Sequence, residues 1–127
     1  MFSHVVVGSN DLDKSKAFYD AIFGTMGIEA VLFDKEAGRI AYSNGASGYM
    51  ICTPIDGKAA CHANGGTIGF EMADSDAVKK WHDAGVAAGG TSIEDAPGVR
   101  DGSFGKLYLA YLRDPDGNKL CGLHRMG

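Results

Sequence analysis

The chain is expected to fold as an α+β domain built from two β-α-β-β-β modules. Three observations predict this: an internal repeat, a capped amphipathic helix in each copy, and strand-like runs after each helix. The repeat lays HVVVGSNDLDKSKAFYDA (residues 4–21) on TIGFEMADSDAVKKWHDA (67–84) without a gap, at an offset of 63 residues (67 − 4). Asp11 falls on Asp74, Asp13 on Asp76, Lys16 on Lys79, Asp20 on Asp83, and Phe18 on Trp81. A period of half the chain is the signature of a duplicated supersecondary unit.

Each copy opens on a short apolar run. Alternate side chains of a strand face opposite ways. His4, Val6 and Gly8 therefore share one face, with repeat partners Thr67, Gly69 and Glu71. Val5 and Val7, with Ile68, Phe70 and Met72, take the other face and are expected to pack on the helices. Asn10 or Asp11 is placed to cap the first helix, and Asp74 or Ser75 the second, because their side-chain oxygens accept from free N–H groups of the first turn. Leu12, Ala17, Phe18, Ala21 and Ile22 form one helical stripe, which Gly24 ends. Val78, Trp81, Ala84 and Gly85 mark the buried side of the second helix, and Gly89-Gly90 terminates it.

The strand runs of the first half are 28–33, 39–43 and 49–53. Those of the second are a short piece near 91–93, then 107–112 and 119–124. Asp114-Pro115-Asp116-Gly117 joins the last two: proline suits the first central position of a type I turn and glycine the positive φ after it. The stretch 92–106 is expected to be a long loop of the kind that is often functional. No compositional break separates the halves, so residues 1–127 are treated as a single domain, with module one at about 1–57 and module two at about 64–127.

Composition narrows the function classes. A chain of 127 residues with 45% hydrophobic and 22% charged content can bury a core without disulfides or structural metal. The net charge is −4, and no basic stripe alternates with aromatics, which argues against nucleic-acid binding. No apolar run approaches the roughly 20 residues of a membrane span. The opening residues lack a basic region and a long apolar run, so the expectation is a cytoplasmic protein with no membrane partner. Three cysteines in such a chain argue against a disulfide framework. There is no GxGxxG, P-loop, nucleophile elbow or HExxH.

The opening HVVVGSNDLDKSKAFYDAIFG, together with YLRDPDGNKL near the end, resembles the vicinal oxygen chelate superfamily, which includes glyoxalase I, bleomycin- and fosfomycin-resistance proteins and extradiol dioxygenases. The resemblance covers nearly the whole chain. It implies eight strands in a U-shaped mixed sheet around a cleft, helices outside, a small-molecule ligand in the cleft, and a homodimer. It also implies a divalent metal (Zn, Ni or Fe) at positions that map to His4, Cys52 or its neighbour Ile51, Thr67 and Cys121. The family shows His or Gln at the first and third and Glu at the second and fourth, and only His4 matches.

Two readings of these residues stay open. In one, His4, Cys52 and Cys121 are a metal site, since zinc takes N and S ligands in a tetrahedron and could polarise a carbonyl or acidify water. In the other, there is no metal and the cysteines are small buried hydrophobes. Cys52 in MICTP and Cys121 in KLCGL are matched as internal counterparts, and the cleft is expected to be lined by Val6, Gly8, Thr67, Gly69, Glu71, Tyr108 and Leu123. Glycines at 8 and 69 leave space there. His82 is expected to be exposed, and His124 to point away from the cleft. Three functions follow: a glyoxalase-like lyase or isomerase acting on an α-hydroxycarbonyl or hemithioacetal, a metal-free binder of an antibiotic or metabolite, and an extradiol-type dioxygenase, which needs a His-His-Glu iron triad.

Overall fold

Each module begins with a strand buried on one side only. β1 (His4–Gly8) runs into α1 (Leu12–Gly24), followed by β2 (Ala30–Asp34), β3 (Arg39–Ser43) and β4 (Gly48–Cys52); β5 (Ile68–Glu71) runs into α2 (Ser75–Ala87), followed by β6 (Thr91–Gly102), β7 (Gly105–Arg113) and β8 (Lys119–Arg125). This computed structural model describes all 127 residues. The strands make two four-stranded mixed sheets, one per module, in the orders β1-β4-β3-β2 and β5-β8-β7-β6. The outer pairs β1–β4 and β5–β8 are parallel and the rest antiparallel.

Both helices start where a carboxylate caps them. Asp11 Oδ1 accepts from the Lys14 N–H at 3.1 Å, and Asp74 Oδ1 from the Ala77 N–H at 2.8 Å. The helices then cross at a glycine. A Cβ on Gly85 would lie 2.4 Å from Leu112 Cδ1 and 3.1 Å from Ile22 Cγ2, so only glycine lets them approach this closely. Phe18, Ile22, Val78, Trp81 and Leu112 are among the residues of one continuous core that includes both modules. Val5, Val7, Ile68 and Phe70 turn toward it as strand parity predicts.

The turn 114–118 ties module two to module one. Asp114 is 4% exposed. Its Oδ1 accepts from the Asp116 and Asn118 backbone N–H groups, both at 2.9 Å, and its Oδ2 from Tyr19 Oη at 2.6 Å and Asn118 Nδ2 at 2.8 Å. Asn118 Nδ2 also reaches the Gly8 carbonyl at 3.3 Å, and Asp116 Oδ1 accepts from the Asn10 N–H at 2.8 Å. The proline-containing turn is therefore a latch between the halves as well as a hairpin.

Two expectations are corrected. Residues 92–106 are a β-ribbon rather than a loop: β6 pairs with β7 almost to its tip, with one register shift between Ile93 and Gly98. Arg100 donates to the Asp95 and Ala96 carbonyls at 3.2 and 3.0 Å, holding this bulge where glycine, proline and acids give little strand propensity of their own. His82 is buried, not exposed, because Ser92 Oγ sits 2.8 Å from its Nε2 and gives it a polar partner beneath β6.

Candidate functional site

On each sheet the face turned away from the helices is the candidate site. On module one this face carries His4, Val6 and Gly8, joined by Met50, Cys52 and Arg39 from β4 and β3. It forms an open pocket of about 880 Å³ walled entirely by module-one residues. Val6 is 51% exposed, far more than a sheet residue with a covered face.

The β1–β4 register decides what His4 can meet. His4 pairs with Gly48, Val6 with Met50 and Gly8 with Cys52. Cys52 is thus four residues along the strand from His4, or about 13 Å at roughly 3.3 Å per residue. The two do not share a site, and neighbouring Ile51 faces the core. Nor is Cys121 the counterpart of Cys52. Val5 pairs with Tyr49 and its repeat partner Ile68 with Leu120, so Cys121 corresponds to Met50 and Cys52 to Leu123. The connections differ in length between the halves. A shift of two residues preserves strand parity, which is why the sequence match looked right.

Cys121 lies under its own module. It is 4% exposed and sits opposite Tyr111 on β7 and Gly69 on β5. Burial, the largest cause, pushes its thiol up to about 11, while the neighbouring Tyr111 hydroxyl pulls the other way. Nowhere do three His, Cys, Asp or Glu side chains come together to hold a metal. The donor set His4, Cys52 and Cys121 therefore does not fit one, because its members are far apart or covered.

The raised thiol has a stability consequence. An unfolded cysteine loses its proton near 9, while the native thiol keeps it to about 11. Between those values the unfolded chain binds fewer protons than the native one, so stability present below pH 9 is lost as pH rises to 11. Urea midpoints at pH 8 and 10.5 should fall further for the native sequence than for Cys121→Ala. Equal falls would mean the thiol is not held protonated by the fold. The phenols of Tyr19, Tyr42 and Tyr49, raised chiefly by burial, act in the same direction at higher pH in both proteins.

The other expected cleft residues divide. Gly69 has nothing within 4 Å of where a Cβ would be, so the space before it is open; Gly8 does not open a cleft, because Ala60 Cβ fills the place at 2.9 Å. Thr67 and Glu71 are exposed. Leu123 pairs with Leu109 and Glu71 and shares the outward parity of Cys121. Tyr108 is on the opposite face: it packs against the core, with Lys79 Nζ 5.7 Å from its ring centroid on the helix side. His124 also lies on that side, with Nδ1 3.3 Å from the Met72 carbonyl. A second hollow, of about 640 Å³, lies between the modules on an aromatic floor of Phe23, Tyr42, Tyr49 and Phe70, with Glu71 and His124 in its wall.

Sequence reasoning missed a polar cluster on module two. Lys119 Nζ is 2.5 Å from Glu94 Oε2 and 4.6 Å from the Tyr111 ring centroid, beside Cys121. Its signal was a glutamate two residues into a stretch expected to be a loop. Only the β6–β7 pairing brings it over β8.

Comparison with known proteins agrees with this architecture. A structure of a glyoxalase/bleomycin resistance protein from Albidiferax ferrireducens T118 is 54% identical, with 98% of this chain and 99% of that one covered and a TM-score of 0.93. A glyoxalase-related enzyme from Fulvimarina pelagi (19% identity, 98% and 88% covered, TM-score 0.76) and a lactoylglutathione lyase from Agrobacterium tumefaciens (22%, 98% and 92%, 0.69) share the fold. No curated protein matches. No helix is long and apolar enough to cross a membrane. The model of the Glyoxalase/Bleomycin resistance protein/Dioxygenase superfamily matches residues 1–121, and the chain belongs to that family.

Proposed function

We propose that this protein is a small-molecule receptor, binding a metabolite or antibiotic without a metal, and that it works as a homodimer. The observation that carries the reading is the placement of the donors: His4 and Cys52 are about 13 Å apart and Cys121 is covered by its own module. A lyase or dioxygenase of the resembling kind needs its donors converged on one ion, and this set does not converge. What the face of module one offers instead is an open pocket with exposed Val6 and Ile55 beside Arg39 and His4. Apolar walls with a few polar groups suit a small organic ligand.

The missing wall is what a second copy would supply. The module-one pocket has no module-two residue in it, and an open face carrying exposed apolar side chains is the kind of surface a partner covers. Purification without chelators should yield protein with well under one equivalent of zinc, nickel or iron and a Tm unmoved by those ions. Sedimentation should show a dimer that Val6→Asp dissociates. Near-stoichiometric metal that is lost on Cys121→Ser would overturn the metal-free part, and a monomer at micromolar concentration would overturn the dimer.

A further inference from the structure

The outward face of module two holds an arrangement that the receptor reading does not by itself explain. Glu94 is the one non-glycine residue with positive φ, at 59°. A β-carbon is strained there, and glycine would make the same bend without strain. The bend sits at the β6 bulge, and Arg100 pins it by donating to two of its carbonyls. The result aims the Glu94 carboxylate at Lys119, whose ammonium also lies over the Tyr111 ring. Tyr111 and Cys121 are cross-strand neighbours on the same face, and open space stands before Gly69 beside them.

Lys119 and Glu94 form a one-to-one ion pair. An ammonium has three donors. Glu94 takes one, and the side chain of Lys119 stays 26% exposed. Glu94 thus positions the ammonium without closing it off.

We propose that Lys119, positioned by Glu94 and Tyr111, is an anion-binding centre that takes the carboxylate of a small monoanionic ligand. This rests on the reading of the sheet faces as ligand-binding walls and names the ligand class for the second wall. Lys119 donates to the carboxylate, and the remainder of the ligand lies across the open surface before Gly69. A partly exposed ammonium with donors left over suits a single carboxylate better than a neutral molecule.

Benzoate, with benzamide as its neutral isostere, tests this by amide chemical-shift titration of the intact protein. Benzoate should shift the β7–β8 amides saturably and benzamide should not. Lys119→Gln should weaken benzoate about tenfold, the loss of one charge-assisted contact. Lys119→Arg should keep it, and Glu94→Gln should tighten it by removing the competing carboxylate. Equal shifts from benzoate and benzamide, or unchanged affinity in a folded Lys119→Gln, would overturn the proposal. If benzoate fails while neutral metabolites raise the Tm in a thermal-shift screen, the anion centre is wrong and the receptor reading stands. If no ligand of any class binds, both fall.

Discussion

Asp114→Ala is expected to lower folding stability by about 3 kcal/mol, a large effect for a single substitution. The carboxylate is buried and accepts four hydrogen bonds, two from backbone N–H groups of its own turn and two from the side chains of Tyr19 and Asn118. Alanine takes the acceptor from both backbone N–H groups and leaves the Tyr19 hydroxyl and Asn118 Nδ2 only their second partners, the Tyr49 hydroxyl and the Gly8 carbonyl. The Tyr19 hydroxyl lies 2.9 Å from that of Tyr49, so the damage reaches the core face of β4. Asp114→Asn keeps an acceptor oxygen and should cost less than half as much. Denaturant unfolding of the three proteins measures this; an Asp114→Ala midpoint within 1 kcal/mol of the native protein would show that the turn is not a latch.

Gly122→Ala should destabilise by roughly 1–3 kcal/mol through overpacking. A Cβ at residue 122 would stand 2.8, 3.1 and 3.2 Å from three atoms of the Trp81 ring, which is fully buried and cannot yield as a flexible chain end would. Trp81 Nε1 is buried without an acceptor, so a smaller ring there forfeits no hydrogen bond. Combining Gly122→Ala with Trp81→Phe should therefore be less destabilising than the sum of the single changes. Additive losses in urea unfolding would mean that the glycine is needed for some reason other than the indole.

Much of the fold was legible because it is written in local chemistry. The repeat, the Asp11 and Asp74 caps, the helix-ending glycines and the face alternation of β1 and β5 all act within a few residues, where side-chain type and backbone geometry are tightly linked. The ribbon of β6 was not legible. Its glycine, proline and acidic residues carry little strand propensity, and its conformation comes from pairing with β7 and from Arg100. The burial of His82 was missed for a related reason, since its partner Ser92 is brought near by that same strand.

The candidate site shows the same division more sharply. The sequence by itself determined the family, the two-module plan and which faces of β1 and β5 turn outward, because parity and periodicity need no knowledge of distant partners. Only the tertiary structure decided the register between parallel strands whose partners are 44 (48 − 4) and 52 (120 − 68) residues apart. That register matched Met50 and not Cys52 with Cys121 and parted His4 from Cys52, while the antiparallel pairing of β6, β7 and β8 put Tyr108 on the core side and brought Glu94 to Lys119. The physical reason is that a two-residue slip leaves every side chain on its original face, so the hydrophobic pattern cannot detect it, while hydrogen-bond pairing and core packing admit one register alone.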